Sequence, residues 1–429
     1  MDDNSDEDYS FLESEPSLLD MSISYYRKER VKKTKNRTTY LAIFLMIIFF
    51  LEYFTKEEMK TYSNSIFESS NPKRCVKLSK FSFYLYGGRY ILIFLIYNYV
   101  NIYGALTYMF IDTFSLAFSS FLKSFYIEPR PFWEKNTIFP CFCAKGYSGP
   151  STTGIYTFVM FSSFYRIIKT TLRFQFSKII LFIFCFIMVS ITYYIRLLQN
   201  VDYFHQIIFG FGIGFCIYFW FFNIIKIDFL SRKQFRQLIN HFILIISFSV
   251  GFFIIVQVIH FNTGFTMKPM YLINIQKYCK LKKFLSGKDM KPYQIFEFIG
   301  CYFGVFLEYK VYFNNDLSLF SQYNIRERKG YVFNRTSRRK SFVRFLLCYF
   351  IQILFFNKIM PSGKDFDFEY GILIYNIIKI FLLCFQGFFF FFIMKRILVK
   401  LNLTNEELIK LKFLEMKRKL ENEELQKLY

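Results

Sequence analysis

Two short polar stretches set between apolar runs carry the residues best suited to chemistry: Lys123 to Thr153, and Arg196 to His205. The first reads Lys123-Ser-Phe-Tyr-Ile-Glu-Pro-Arg130-Pro131 and, further on, Gly149-Pro150-Ser151-Thr152-Thr153. The second reads Arg196-Leu-Leu-Gln-Asn-Val-Asp202-Tyr-Phe-His205-Gln206. Lys123, Arg130 and Arg196, brought to one end of a helix bundle, would surround a phosphate. Guanidinium forks match phosphate oxygens bidentately, and an ammonium adds a compact charge with three donors. Ser151, beside a Pro-Gly break at an expected helix start, adds a hydroxyl and backbone N–H groups. Lys123, Arg130, Ser151 and Arg196 together read as a phosphate site.

Each residue also has a plainer role. Lys123, Arg130 and Arg196 at helix ends can snorkel to lipid headgroups. Ser151 and Thr153 can cap a helix after Pro150. Asp202 can pair with Arg196, six residues before it, and fill the pocket with a salt bridge in place of a ligand.

The elements that must position these residues are membrane helices. The chain is 54% hydrophobic with 63 Phe, and its apolar residues fall in runs of about 15–25, the length that crosses a bilayer. A net charge of +23 raises the question of nucleic acid. No recognition module surrounds that charge, and the basic residues lie in loops between apolar runs, where membrane topology and anionic headgroups account for them. Membrane lipids, not nucleic acid, are the expected surroundings.

Residues 1–20 hold eight acidic residues and no apolar run, which predicts a disordered tail and excludes a cleaved signal peptide. Seven Lys/Arg lie between Arg27 and Arg37, so the N-terminal side is expected in the cytoplasm. Domains are expected at 1–38 (disordered acidic then basic tail), 39–80 (an N-terminal transmembrane helix and loop), 81–397 (the main membrane domain) and 398–429 (a charged tail helix opened by the capping box Thr404-x-x-Glu407). Phe81 to Leu122 is long enough for two helices with a break near Asn101–Gly104. Later runs lie near 152–168, 178–195, 206–226, 238–260, 293–313, 342–357 and 370–397. The fold expected is all-α, a polytopic bundle of about ten transmembrane helices. Lys123–Pro150 then faces the lumen. Loops 166–178, 226–236 and 314–342 face the cytoplasm and are basic, as expected there. Loop 261–292 should be lumenal, yet carries Lys277, Lys280, Lys282 and Lys283, against that topology.

The nine Cys form no C-x-x-C pair and no His/Cys cluster, so no metal site is expected. Cys185, Cys216, Cys301, Cys348 and Cys384 lie in apolar runs and pack as small hydrophobes. Cys75, Cys141, Cys143 and Cys279 lie in loops and can pair if those loops face an oxidising lumen; sequence leaves their connectivity open.

Lys-x6-Arg-Pro, a Pro-Ser box and a later Arg resemble the motifs of the type 2 phosphatidic acid phosphatase superfamily. Lys123, Arg130 and Pro131 match the first motif in full, Pro150 and Ser151 half of the second, and Arg196 the third. Arg130-Pro-Phe-Trp133, the Asp202–Gln206 segment followed by Gly210, and weaker matches at Lys277–Cys279, Pro292-Tyr293 and Gly300–Gly304 are similar to the glucose-6-phosphatase branch over residues 81–395. The resemblance implies a phosphatase-type bundle with an extra N-terminal helix. It also implies residence in the endoplasmic reticulum, hydrolysis of a sugar phosphate without a cofactor, a role in gluconeogenesis, and a transporter that supplies the phosphorylated substrate.

The departures fall on the catalytic positions. Where the family carries its nucleophilic His this chain has Asp202, and where it carries the acid His this chain has Thr153. Thr is no general acid near neutral pH, and losing such an acid costs about 10²–10⁴-fold in rate. Asp can attack phosphorus but is shorter than His and usually needs a metal beside it. His205, about one helical turn from Asp202, could stand in as nucleophile or acid. His260 is a remote acid candidate and His241 a structural one. The resemblance therefore leaves three readings: a sugar-phosphate hydrolase using His205 or Asp202, a catalytically inactive pseudophosphatase that binds phosphate compounds or is structural, and a lipid phosphate phosphatase with a pocket opening sideways to the bilayer.

Overall fold

A computed structural model describes residues 18–68, 88–135, 137–141, 143, 147–169, 175–225, 243–244, 246–255, 258, 268–279, 292–313, 336–359 and 371–405. Every regular element among them is helical; one isolated bridge joins Glu128 to Gly149. In chain order the helices are α1 (Leu18–Glu68), α2 (88–99), α3 (Ile102–Tyr126), the single turn α4 (Pro131–Glu134), α5 (Thr152–Ile168), α6 (Gln175–Leu198) and α7 (Phe204–Phe219). They continue with α8 (Ile246–Ile255), α9 (Pro269–Cys279), α10 (Ile295–Phe313), α11 (Arg338–Ile351), α12 (Gly371–Phe388) and α13 (Met394–Lys400). Segments of α1, α3, α6, α7 and α12–α13 are long and apolar enough to cross a membrane. The chain is an all-α polytopic membrane protein.

The apolar runs and the helices coincide closely, because an unbroken run of apolar residues in lipid must satisfy its own backbone. The break expected near Asn101 is a cap: its side chain accepts the Gly104 N–H at the start of α3. One boundary is different. Residues 1–17 of the expected tail lie outside the described residues. Among the described residues the expected boundary between 38 and 39 is absent, since Leu18–Glu68 is a single helix of 51 residues, roughly 75 Å at 1.5 Å per residue. No Gly or Pro interrupts this stretch, and its Lys, Arg, Glu and Met are good helix formers. The tail helix expected from the Thr404–Glu407 box lies beyond residue 405, outside the described residues, as do His241 and His260.

Small residues bring the helices around the site together. A Cβ at Gly210 of α7 would lie 2.6 Å from the Ser151 carbonyl oxygen, and one at Gly154 of α5 would lie 2.9 Å from the Ile207 carbonyl oxygen. Only hydrogen fits at these crossings, as at close helix contacts in membranes. On the other side of the bundle, Gly300 of α10 and Gly387 of α12 meet the partner helix's backbone in the same way. Helix α1 runs antiparallel along α7, from Arg37 Nη1 donating to the Asn223 carbonyl (3.0 Å) to Ser63 Oγ accepting the Phe204 N–H (3.0 Å).

These contacts sort the ends of the helices. The segment after α3, the α6–α7 connection and α9 lie at one end. At the other, Arg344 near the start of α11 donates to the carbonyls of Asn98 (3.0 Å) and Leu403 (2.6 Å). The disulfide Cys143–Cys279 and the Asn274 Nδ2 bond to the Trp133 carbonyl (2.8 Å) tie α9, the helix within the expected loop 261–292, to the same end as the segment after α3. Lys280, Lys282 and Lys283 lie outside the described residues.

Candidate phosphate site

The cradle is built from three loop–helix junctions. α3 ends near Lys123, and the chain turns through Glu128 and Arg130, where Pro131 opens α4. The Ser148–Ser151 segment then folds back on this turn: the Ser148 N–H donates to the Glu128 carbonyl (2.9 Å). A side chain at Gly149 would collide with Glu128, its Cβ 2.8 Å from the Glu128 Cβ, so only glycine admits the pairing. Ser151 caps α5, accepting the Gly154 N–H at 3.3 Å. Arg196 ends α6. Asn200, with φ 56° in a left-handed conformation that Asn tolerates, turns the chain so that Asp202 faces Arg196. Gln206 Oε1 then accepts the Tyr203 N–H (2.9 Å) and starts α7.

What fills the cradle is a side chain of the protein itself. Arg130 Nη1 donates to Asp202 Oδ1 at 2.9 Å, and the Ser148 hydroxyl donates to the same oxygen. Oδ2 accepts Arg196 Nε (3.0 Å), Arg196 Nη2 (2.8 Å) and the Ser151 hydroxyl (2.8 Å). Asp202 is 1% exposed, and Arg130 and Arg196 are buried with it. Burial disfavours its charge, but the Arg196 and Arg130 guanidiniums, the Lys123 ammonium and the Ser148 bond outweigh that, holding the carboxyl well below the usual carboxylate range. Lys123 Nζ donates to the Tyr147 carbonyl (3.0 Å). Of the expected site residues, Arg130, Ser151, Arg196 and Asp202 thus converge directly, Lys123 contributes charge beside them, and the plainer expectation for Asp202, a salt bridge in the pocket, is the arrangement present.

His205 is turned to a second cluster. Its Nε2 lies 2.8 Å from Glu128 Oε1, and Lys56 Nζ of α1 lies 2.8 Å from the same oxygen. Burial opposes the Glu128 charge, yet its bond to His205 and the Lys56 ammonium hold it down at about 2. Glu52 of α1 accepts the Tyr126 hydroxyl nearby. Glu52, Glu128 and His205 could offer ligand atoms within 4.8 Å of one another, but the Lys56 ammonium already supplies a cation there, so the group fits a tethered ion pair better than a metal. Thr153 is buried in the first turn of α5, where its hydroxyl has no acid to give.

Sequence reasoning missed Ser148, Glu128, Glu52 and Lys56. Ser148 and Glu128 lie inside the motif stretches, so position alone flagged them; their roles arise from the bridge that pairs them. Lys56 and Glu52 carried no signal, since they read as charges towards the end of the apolar stretch that opens the 39–80 segment.

An apolar cavity of about 740 Å³ lies between α5, α6 and α7, lined by residues such as Phe161, Tyr165, Phe186 and Phe211 and reaching Leu197 and Phe204 at the site end. Phe132 and Trp133 are fully buried and do not line it.

A family model for the PAP2 superfamily matches residues 104–230, the span from α3 through α7 that contains the whole cradle. The match supports membership of the type 2 phosphatidic acid phosphatase superfamily and suggests a phosphatase-type function; it does not reach the level of a branch or a substrate. Comparisons with curated proteins and with solved structures gave no match.

Proposed function

We propose that the type 2 phosphatidic acid phosphatase core of this chain is catalytically silent, with its phosphate cradle occupied by the Asp202 carboxylate. The observation that carries this reading is the set of five donors from Arg130, Ser148, Ser151 and Arg196 on one buried carboxylate. Those donors are of the type a phosphate would use, and a carboxylate with both oxygens engaged is neither a free nucleophile nor a vacancy for substrate. The family position of the leaving-group acid is Thr153, and His205 is bound by Glu128. Neither supplies the proton a leaving oxygen needs. On this reading the chain is a membrane scaffold of phosphatase ancestry.

The hydrolase reading would place the chain in the endoplasmic reticulum, fed with a sugar phosphate by a transporter. It needs Asp202 to leave the two arginines and His205 to leave Glu128. A lipid-phosphate reading draws on one observation, the apolar cavity reaching Leu197 and Phe204 beside the Arg196–Asp202 turn.

Phosphate release from glucose 6-phosphate and from phosphatidic acid by purified protein in detergent decides among them. The expected result is that the parent releases no more phosphate than Arg130→Ala from either substrate. Turnover by the parent that Arg130→Ala and His205→Ala abolish would overturn silence, and the productive substrate would name the hydrolase.

A further inference from the structure

The apolar cavity between α5, α6 and α7 has a second end, opposite the cradle. Its lining on α7 runs from Phe204 to Tyr218, about 21 Å along the helix at 1.5 Å per residue. One leaflet contributes about 15 Å to the hydrocarbon core of a bilayer, so the cavity is long enough for an acyl chain. Phe161 and Val189 lie buried at its floor, while Phe182 and Phe186 of α6 line it and are exposed. The cavity is therefore a groove that opens sideways, towards lipid.

Three cations stand at its far mouth. Lys169 caps the C-terminal end of α5, and its Nζ lies 5.1 Å from the centre of the Tyr165 ring. Tyr165 lines the groove and meets Phe182 edge-on, with ring centres 5.6 Å apart. Arg166, the next residue, acts electrostatically on the Tyr218 phenol across the groove. Lys178, in the first turn of α6, lies near enough to act, together with Arg166, on the Lys169 ammonium. Residues 166–178 carry four basic residues and no acidic one. Like charges gathered in this way repel one another, and an anion set among them relieves the repulsion.

This mouth is far from the cradle. Lys178 comes eighteen residues before Arg196 on α6, about 27 Å along the helix. It lies at the end where Arg37 of α1 meets the Asn223 carbonyl after α7. That end is expected in the cytoplasm, and the cytoplasmic leaflet is the one that carries anionic lipids.

We propose that the groove holds one anionic phospholipid of that leaflet, its phosphate at Arg166, Lys169 and Lys178 and an acyl chain along the aromatic wall. The guanidinium fork and the two ammoniums donate to phosphodiester oxygens. Tyr165 sits between headgroup and chain, at the level where amphipathic rings gather in membrane proteins. A choline headgroup would bring a fourth positive charge among three, so a headgroup of net negative charge is preferred. The site is independent of the cradle, whether or not Asp202 occupies it.

Native mass spectrometry of the full chain in detergent, with added dioleoyl phosphatidylserine or dioleoyl phosphatidylcholine at constant ionic strength, tests this. The parent is expected to retain one phosphatidylserine in preference to phosphatidylcholine. Changing Arg166, Lys169 and Lys178 together to Gln is expected to weaken phosphatidylserine binding on the order of a hundredfold. Lys169→Arg with Lys178→Arg keeps the charge and is expected to keep the preference. Ser190→Trp fills the groove from an exposed position of α6 and leaves the cations in place; it is expected to reduce retention of either lipid. All four positions are at least partly exposed, so melting temperatures near the parent's are expected for every variant. Equal retention of the two lipids by the parent, or binding unchanged in the Gln variant, overturns the headgroup site. Binding unchanged in Ser190→Trp overturns the place of the chain in the groove. A lipid-free dimer of the parent that Ser190→Trp splits would assign the groove to a second copy and overturn the proposal.

Discussion

On the proposed reading, Asp202 puts an internal bond where a phosphate would otherwise sit. Five donors aimed at one carboxylate would be an unusual concentration on an exposed surface; in a buried loop they compensate each other's charge. Removing one partner exposes the cost. Asp202→Ala leaves Arg130 and Arg196 buried without a counter-charge, which is expected to lower stability by about 3–5 kcal/mol, measured by denaturant or thermal melting in detergent. The pH dependence follows from the direction of the shift. With the folded carboxyl held below its ordinary range by Arg196, Arg130 and Lys123 against the opposing effect of burial, its contribution is complete above the ordinary carboxylate range and is lost as pH falls towards the folded value. The stability gap between the parent and Asp202→Asn is therefore expected to stay flat from about pH 5 upward and to close only in strong acid. A gap that closes between neutrality and mild acid would contradict the arrangement.

At the scale of elements, the cradle depends on how closely α5 approaches α7 and on what α1 adds from outside. Gly210→Val inserts a side chain whose Cβ would lie 2.6 Å from the Ser151 carbonyl oxygen. Overpacking of this kind typically costs about 1–3 kcal/mol, and here it also pushes Ser151 away from Asp202; thermal melting in detergent measures the loss. Lys56→Met tests α1: it removes the cation from a buried Glu128 and is expected to cost about 1–3 kcal/mol, less than Asp202→Ala because Lys56 is partly exposed and His205 stays bound to Glu128. Most helices were legible in the sequence because an apolar run in lipid has no alternative to helix, so α5 and α10 end where their runs end. The N-terminal helix was not. Its basic half has the composition of a solvated tail, and only a continuous absence of Gly and Pro hinted that it would extend the membrane segment. Three partners of the phosphate motif, Arg130, Ser151 and Arg196, were legible from residue type and spacing. Ser148 was not, because its role comes from the Glu128–Gly149 bridge, a pairing between residues twenty-one apart that carries no periodic signal.

The described helices gather the site, the Cys143–Cys279 disulfide and α9 at one end, and the basic starts of α1 and α11 at the other. That segregation is what the positive-inside rule expects if the basic end faces the cytoplasm, and the covalent tie from Cys279 to Cys143 holds the end of α9 with the site despite the lysine-rich charge count of loop 261–292. A glycosylation acceptor inserted between residues 280 and 291 is expected to be modified in a microsomal system, whereas one inserted between 226 and 236 is not. The reverse pattern would contradict this expected orientation of the bundle.

The most direct test of the occupied cradle is the shift in melting temperature that inorganic phosphate produces in the parent and in Asp202→Ala, in detergent at constant ionic strength. With the carboxylate in place the parent's melting temperature is expected to be insensitive to phosphate, while Asp202→Ala starts lower and rises as phosphate takes the vacated position between Arg130 and Arg196. A parent stabilised by phosphate, with the response lost in Asp202→Ala, would mean that Asp202 helps to bind the ligand and does not stand in its place.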